Sequence, residues 1–198
     1  MSTQNKPRPI VLGDEKKGLK NALQKHSQTN CMRCLQCRSC SSGCPFYSAM
    51  DLGPHKIVRL LHFGQFQQAL ESSTIWICVG CDTCASNCPM AIDIPAIMDV
   101  LRQYALDRNI KNPMPEIVQL HNEILDSIHR YGRTHKLEIM LRYKVKKRAW
   151  FEDMDVGLKM LSKRKLHLLP SKVRGQAEIQ EMFQTAQPVS WPEGNEYD

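Results

Sequence analysis

The chain has 198 residues, 42% hydrophobic and 24% charged, with a formal net charge of +7. This composition excludes a disordered chain, and the length allows one domain with a buried core or a small domain with an extension. The longest apolar run, Ile75-Trp76-Ile77-Cys78-Val79, falls far short of the ~20 residues a membrane-spanning helix needs, so no membrane span is expected.

The opening stretch MSTQNKPRPIVLGDEKK has no signal-peptide core, and a cytoplasmic location is expected. In a reducing compartment, nine Cys serve metals or redox chemistry rather than disulfides. Residues 1–29 form an N-terminal segment in which Leu19 and Leu23 predict one short helix. A first cysteine run follows, Cys34-x2-Cys37-x2-Cys40-x3-Cys44-Pro45. From Pro54 to Gly64, Ile57, Leu60 and Leu61 fall at helical spacing, with Pro near the start and Gly at the end. Phe66 and Leu70 continue as a short second piece. The second run, Cys78-x2-Cys81-x2-Cys84-x3-Cys88-Pro89, repeats the first, proline included. Asp93 then opens a helix with Ile97, Met98, Leu101, Tyr104 and Ala105 on the helical period. No strand pattern accompanies either run, so the expected fold class is all-α, with cysteine loops between helices.

The boundary at Lys111-Asn112-Pro113 closes a cysteine-bearing domain over residues 30–112. Beyond it, Pro115 begins a helix with Ile117, Leu120, Ile124, Ile128 and Tyr131 on one face, ended by Gly132. Further helices are expected around residues 134–148, 155–166 and 171–185. Residues 113–186 thus read as a basic helical extension for subunit docking, and residues 187–198 as a flexible tail. The fourteen bases of this half all lie between Arg130 and Arg174, against four acids, a local excess of +10. Such a run is either a docking face for an acidic partner or a solvated helical face. No nucleic acid is expected, because the cysteine region carries little excess charge and no interleaved aromatics for base stacking.

The cysteine spacing has a chemical reason. A [4Fe–4S] cube needs four thiolates, and three Cys at successive x2 intervals wrap one small object. The fourth, three residues on and before Pro, faces away, and in two-cluster ferredoxins it binds the other cube. The pattern therefore predicts two [4Fe–4S] clusters with crossed ligands. Cys34, Cys37, Cys40 and Cys88 hold one; Cys78, Cys81, Cys84 and Cys44 hold the other. Each oxidised cube with its thiolates carries a charge of about −2, which offsets part of the basic excess. Ile75, Trp76, Ile77 and Val79 are expected to shield the second cube. Cys31 lies outside the matched pattern and is expected to be a non-ligand thiol. Zinc sites commonly use paired cysteines, which fits these triplets poorly. The His residues show no ligand spacing with the runs; His55 and His62 are expected at the surface or an interface, and His121 and His129 are expected to be solvated.

These residues resemble the C-type iron–sulfur subunit of heterodisulfide reductase. The resemblance rests on the doubled run, on DLGPHKIVRL at 51–60, on Trp76 and the CVGCDTC stretch at 78–84, and on Asp93-Ile94-Pro95, Ile97-Met98 and Leu101-Arg102. GRTH at 132–135, DVGLKM at 155–160 and Leu168-Leu169-Pro170 are similar to the C-terminal part of the soluble form, so the resemblance covers about residues 30–183. Cys31 and Met32-Arg33 depart from the pattern. The resemblance implies an α-helical ferredoxin fold carrying two [4Fe–4S] clusters, with no flavin on this chain. It also implies a complex in which a flavin-containing A-type subunit supplies electrons and a B-type subunit reduces a disulfide. The chain would then be a non-catalytic electron-transfer subunit of an oxidoreductase. Two other readings compete. One is the iron–sulfur subunit of a membrane quinone oxidoreductase similar to succinate dehydrogenase or fumarate reductase. The other is a zinc-stabilised nucleic-acid-binding module built on the basic stretch.

Overall fold

The structure, a computed structural model, describes residues 17–147, 159–160, 162–163 and 173–186. Among the described residues every regular element is a helix and none is a strand. They fall into two compact units that divide between Pro113 and Met114.

The first unit begins with α1 (Lys17–Ser27), followed by a one-turn 3-10 helix at Cys31–Arg33, α2 (Ser39–Ser42) and a second 3-10 turn at Tyr47–Ala49. Then come α3 (Pro54–His62), α4 (Phe66–Leu70), α5 (Thr74–Ile77), α6 (Thr83–Ser86) and α7 (Ile94–Asp107). Prolines mark the starts of the longer helices: Pro54 and Pro95 sit in the first turn, where a missing N–H costs nothing. Asp93 caps α7, its side chain accepting a 2.9 Å hydrogen bond from the Ala96 N–H. Helix α7 is the spine of the unit and packs against α1, α4, α5 and α6. Its Ile97, Met98 and Leu101 are buried with Leu23, Ile57, Val58, Leu61, Phe66, Leu70, Ile75 and Ile92. Each such side chain contributes roughly 1.5–3 kcal/mol of apolar burial.

The short α5 is an element that sequence reading did not separate from its apolar run. Asp51 holds its start. The carboxylate accepts from the Ser72 hydroxyl (2.6 Å), the Thr74 hydroxyl (2.8 Å) and the Ser73 N–H (3.0 Å). Partial burial works against ionisation here, yet the Ser72, Thr74 and Ser73 donors hold the Asp51 carboxyl far below its usual range. Because α5 runs directly into Cys78, Asp51 fixes the entry to the second run from a distant loop. Asp51→Ala is expected to cost about 1–2 kcal/mol in urea unfolding at pH 7. A depressed carboxylate stabilises the fold above its unfolded pKa of 3.8 and loses that contribution as pH falls below it, so the gap between wild type and variant should close in acid.

The second unit contains α8 (Pro115–Tyr131), α9 (Lys136–Lys147) and α10 (Gln176–Thr185). Gly132 ends α8 with φ 74°, in the left-handed region, and a Cβ there would collide with the Val173 side chain. The last helix starts later than the periodicity suggests, because Gly175 turns the chain at φ 79° just before Gln176. The helix expected around 155–166 lies largely outside the described residues, as does the tail from 187.

The apolar stripe of α8 is not its most buried face. Leu120 is exposed, and the buried α8 positions are Glu123 and Ser127. The cause is polar. Arg142 Nε donates to Glu123 Oε2 at 3.1 Å, Lys146 Nζ pairs with Glu123 Oε1, and Arg130 Nη1 donates to Glu138 Oε1 at 2.6 Å. Ser127 Oγ accepts from the His135 N–H at 2.9 Å. Part of the basic run is therefore consumed by ion pairs that bind α9 to α8.

Candidate metal centre

The two cysteine runs fold alike. Cys34 and Cys78 each leave a helical turn with nearly the same extended backbone, φ −63°, ψ 122° and φ −61°, ψ 121°. Two residues on, Gln36 and Gly80 take positive φ, and two further on Arg38 and Asp82 do so again. Left-handed residues recurring at this interval coil the chain around a small volume. A single helical turn then carries the third cysteine, Cys40 on α2 and Cys84 on α6, and these two turns pack together.

The thiol environments repeat too. The Gln36 N–H donates to Cys34 Sγ at 3.4 Å, and the Gly80 N–H plays the same part at Cys78. Ser39 Oγ lies 3.4 Å from Cys37 Sγ, and Thr83 Oγ1 lies 3.5 Å from Cys81 Sγ. These hydroxyls lower the thiol pKa of Cys37 and of Cys81, and at Cys81 the Asp82 carboxylate works weakly against the shift. The deeper thiols move the other way. Burial pushes Cys40 and Cys78 up, and burial together with the neighbouring Cys78 pushes Cys84 up to about 12. Without a metal to share their charge, the inner thiols stay protonated at neutral pH.

The eight predicted ligands line two cavities. Cys34, Cys37, Cys40 and Cys88 line one, walled by Val58, Ile92 and Ile94 among others. Cys78, Cys81, Cys84 and Cys44 line the other, with Phe46, Met50, Pro54, Pro95 and Met98. Ile94, the first residue of α7, belongs to both walls. In each cavity the fourth cysteine comes from the other run. Among the described residues, no group of three or more His, Cys, Asp or Glu converges on a point that would hold a single metal ion. A ring of four thiols around a cavity suits a polynuclear iron–sulfur group and does not suit zinc.

Several neighbours differ from expectation. Trp76 and Ile75 belong to the buried core and do not line the second cavity, where only Val79 of the four expected shielding residues appears, 60% exposed. Phe46, Met50, Pro54, Ile94, Pro95 and Met98 supply the shielding instead. His55 is half-buried, lines the first cavity, and places Nδ1 2.7 Å from Ser41 Oγ. The approach is tight, since a Cβ at Gly53 would fall 2.9 Å from that oxygen. His62, also half-buried, donates from Nε2 to the Cys31 carbonyl at 2.8 Å. Cys31 itself is buried, lines neither cavity, and has its thiol pKa raised by burial.

Fold and site together define an α-helical ferredoxin-like domain, an iron–sulfur electron-transfer module of the kind oxidoreductases use. Residues 33–93 match the family model described as a 4Fe-4S dicluster domain. The chain is similar to the C-type subunit of the ferredoxin:CoB-CoM heterodisulfide reductase of Methanosarcina acetivorans, 35% identical over 79 residues, which is 40% of this chain and 32% of that protein. It is 32% identical over 99 residues to a C-type iron-sulfur subunit of the CoB–CoM heterodisulfide reductase of Methanocaldococcus jannaschii, half of each chain. A protein of Archaeoglobus profundus described as like the C-type subunit of heterodisulfide reductase is 28% identical over 102 residues, 51% of each. The chain thus spans about half or less of the length of these curated relatives. Among the described residues no helix is long and apolar enough to cross a membrane.

Proposed function

We propose that the chain is the electron-relay subunit of a heterodisulfide-reductase-like complex. It holds one [4Fe–4S] cluster through Cys34, Cys37, Cys40 and Cys88 and a second through Cys78, Cys81, Cys84 and Cys44. A flavin-containing A-type partner gives electrons, and a B-type partner takes them to reduce a disulfide. The observation that carries this reading is the pair of four-cysteine cavities, each completed by a thiol from the opposite run. When bound, the clusters supply one-electron carriers. The chain's own residues do the rest. The Gln36 and Gly80 N–H groups donate toward sulfur, and the Ser39 and Thr83 hydroxyls beside Cys37 and Cys81 favour the charged state. Ile92, Ile94 and Met98 exclude water from the inner walls.

The second unit supports a subunit role. Leu125, Met140, Leu141, Val145 and Met182 are large apolar side chains left exposed on its helices. Apolar side chains in that number suit a protein partner. The nucleic-acid reading loses support there, because Arg130, Arg142 and Lys146 are engaged by Glu138 and Glu123. Anaerobic purification of the native complex, with metal, sulfide and flavin assays on each separated subunit, tests the proposal. About eight iron and eight sulfide on this chain, with flavin on a companion, are expected. A colourless chain with stoichiometric zinc would refute it.

A further inference from the structure

The two cavities share backbone and ligand geometry, yet their charge differs at one matched position. Arg38 and Asp82 each follow the second cysteine of a run. Each takes the left-handed backbone, φ 68° and 58°, at the start of the turn that carries the third cysteine. They are the only charged residues between Cys34 and Pro45 and between Cys78 and Pro89. The surroundings extend the contrast. Arg38 lines the first cavity, whereas among the described residues no Asp, Glu, Lys or Arg lines the second. Beside the second cavity, Asp99 and Arg102 form an ion pair at 2.8 Å, which leaves Asp82, next to Cys81 in the chain, as the charge that distinguishes it.

We infer that Arg38 and Asp82 set the direction of the relay, so that an electron enters at the Cys78/Cys81/Cys84/Cys44 cavity and leaves from the Cys34/Cys37/Cys40/Cys88 cavity. This rests on the iron–sulfur reading above. Reduction adds one negative charge to the group in a cavity. A neighbouring cation favours that added charge and a neighbouring anion opposes it. The first cavity therefore holds its electron at the higher potential. The transfer balances simply. A one-electron donor of the flavoprotein class is oxidised by one electron at the second cavity. That electron passes to the first cavity, and a one-electron acceptor removes it there. No bond forms or breaks and no proton moves. Arg38 and Asp82 are positioning residues for this order, and being exposed they act through screened fields that weaken with salt.

The test is a potentiometric titration of the full chain loaded with about eight iron, following the spectroscopic signal of each reduced cluster. Cys37→Ser and Cys81→Ser, each altering one signal, assign the two. The cluster next to Cys37 should reduce at the higher potential. Arg38→Asp should lower its midpoint and Asp82→Arg should raise the other. Each is expected to change the reduced-to-oxidised ratio ~3- to 10-fold at fixed potential, tenfold being 59 mV for a one-electron couple. The double swap should invert the order, and raising the salt to ~1 M should shrink every shift. Each substitution introduces a residue the matched half already carries in the same backbone geometry. Should a swapped chain fail to load iron, Arg38→Gln and Asp82→Asn read the same shifts at about half size. Equal or reversed midpoints in the wild type, or midpoints that ignore the substitutions in fully loaded protein, would overturn the inference. A chain that takes up no iron refutes the underlying relay reading instead.

Discussion

Cys88→Ser should extinguish the same cluster as Cys40→Ser, although the two residues stand in different runs. Cys44→Ser should extinguish the other, although Cys44 is the near neighbour of Cys40 in sequence. Each single variant is expected to fall from about eight iron per chain to about four and to keep one of the two reduced-cluster signals. Cys40→Ser combined with Cys88→Ser should lose no more iron than either alone, and Cys40→Ser combined with Cys44→Ser should lose both clusters. Cys31→Ser should change neither. The expectation follows from the cavity walls, where Cys88 stands with Cys34, Cys37 and Cys40 while Cys44 stands with Cys78, Cys81 and Cys84. Iron and sulfide assays with low-temperature spectroscopy on the anaerobic full chain make the measurement. Loss of the same signal in Cys40→Ser and Cys44→Ser would show that each run closes its own cluster.

The grouping of eight thiols around two cavities was legible in the spacing because it depends on local stereochemistry. A proline after the fourth cysteine and a three-residue step before it turn that thiol away from its own loop, and any chain with the pattern inherits the turn. The helices begun by Pro54, Pro95 and Pro115 were legible for the same reason, since proline at the first turn is a local signal. What stayed hidden depends on contacts between distant segments. Asp51 meets Ser72, Ser73 and Thr74 across a loop, and His55 meets Ser41 across half a cysteine run; neither partnership has a periodicity to read. Arg38 and Asp82 carry no signal in the cysteine spacing. Their shared left-handed backbone is not a preference of arginine, so only the folded chain reveals them as counterparts. Helix α8 misled in a different way. Its isoleucines and leucines promised an apolar seam, but a carboxylate one position from that stripe found two cations on α9 and took the most buried place.

That carboxylate gives an asymmetric prediction. Glu123 is 1% exposed, while the side chains of Arg142 and Lys146 keep 42% and 53% of their surface in water. Removing the acid frees two cations that can hydrate, so Glu123→Gln should cost only about 1 kcal/mol. Removing both cations strands a charge with no water and no partner, so Arg142→Ala with Lys146→Ala should cost about 3 kcal/mol or more. The pH dependence separates these cases further. The Lys146 contact lowers the Glu123 pKa against the opposing effect of burial, and Arg142 adds to the lowering. A group whose folded pKa lies below its unfolded value of 4.5 stabilises above that value and loses the contribution as pH falls through the folded one. Wild type should therefore weaken below about pH 4.5 in a way that Glu123→Gln does not. In the double cation variant the stranded carboxyl has its pKa raised by burial, so acid should restore stability instead of removing it. Urea unfolding followed by helical circular dichroism at pH 7 and below about pH 4.5 makes the comparison. Cluster loss in acid is common to all three proteins, so the differences between them report the α8–α9 pairing. A double variant as stable as wild type at neutral pH, or one that weakens in acid as wild type does, would show that the buried carboxylate does not depend on these two cations.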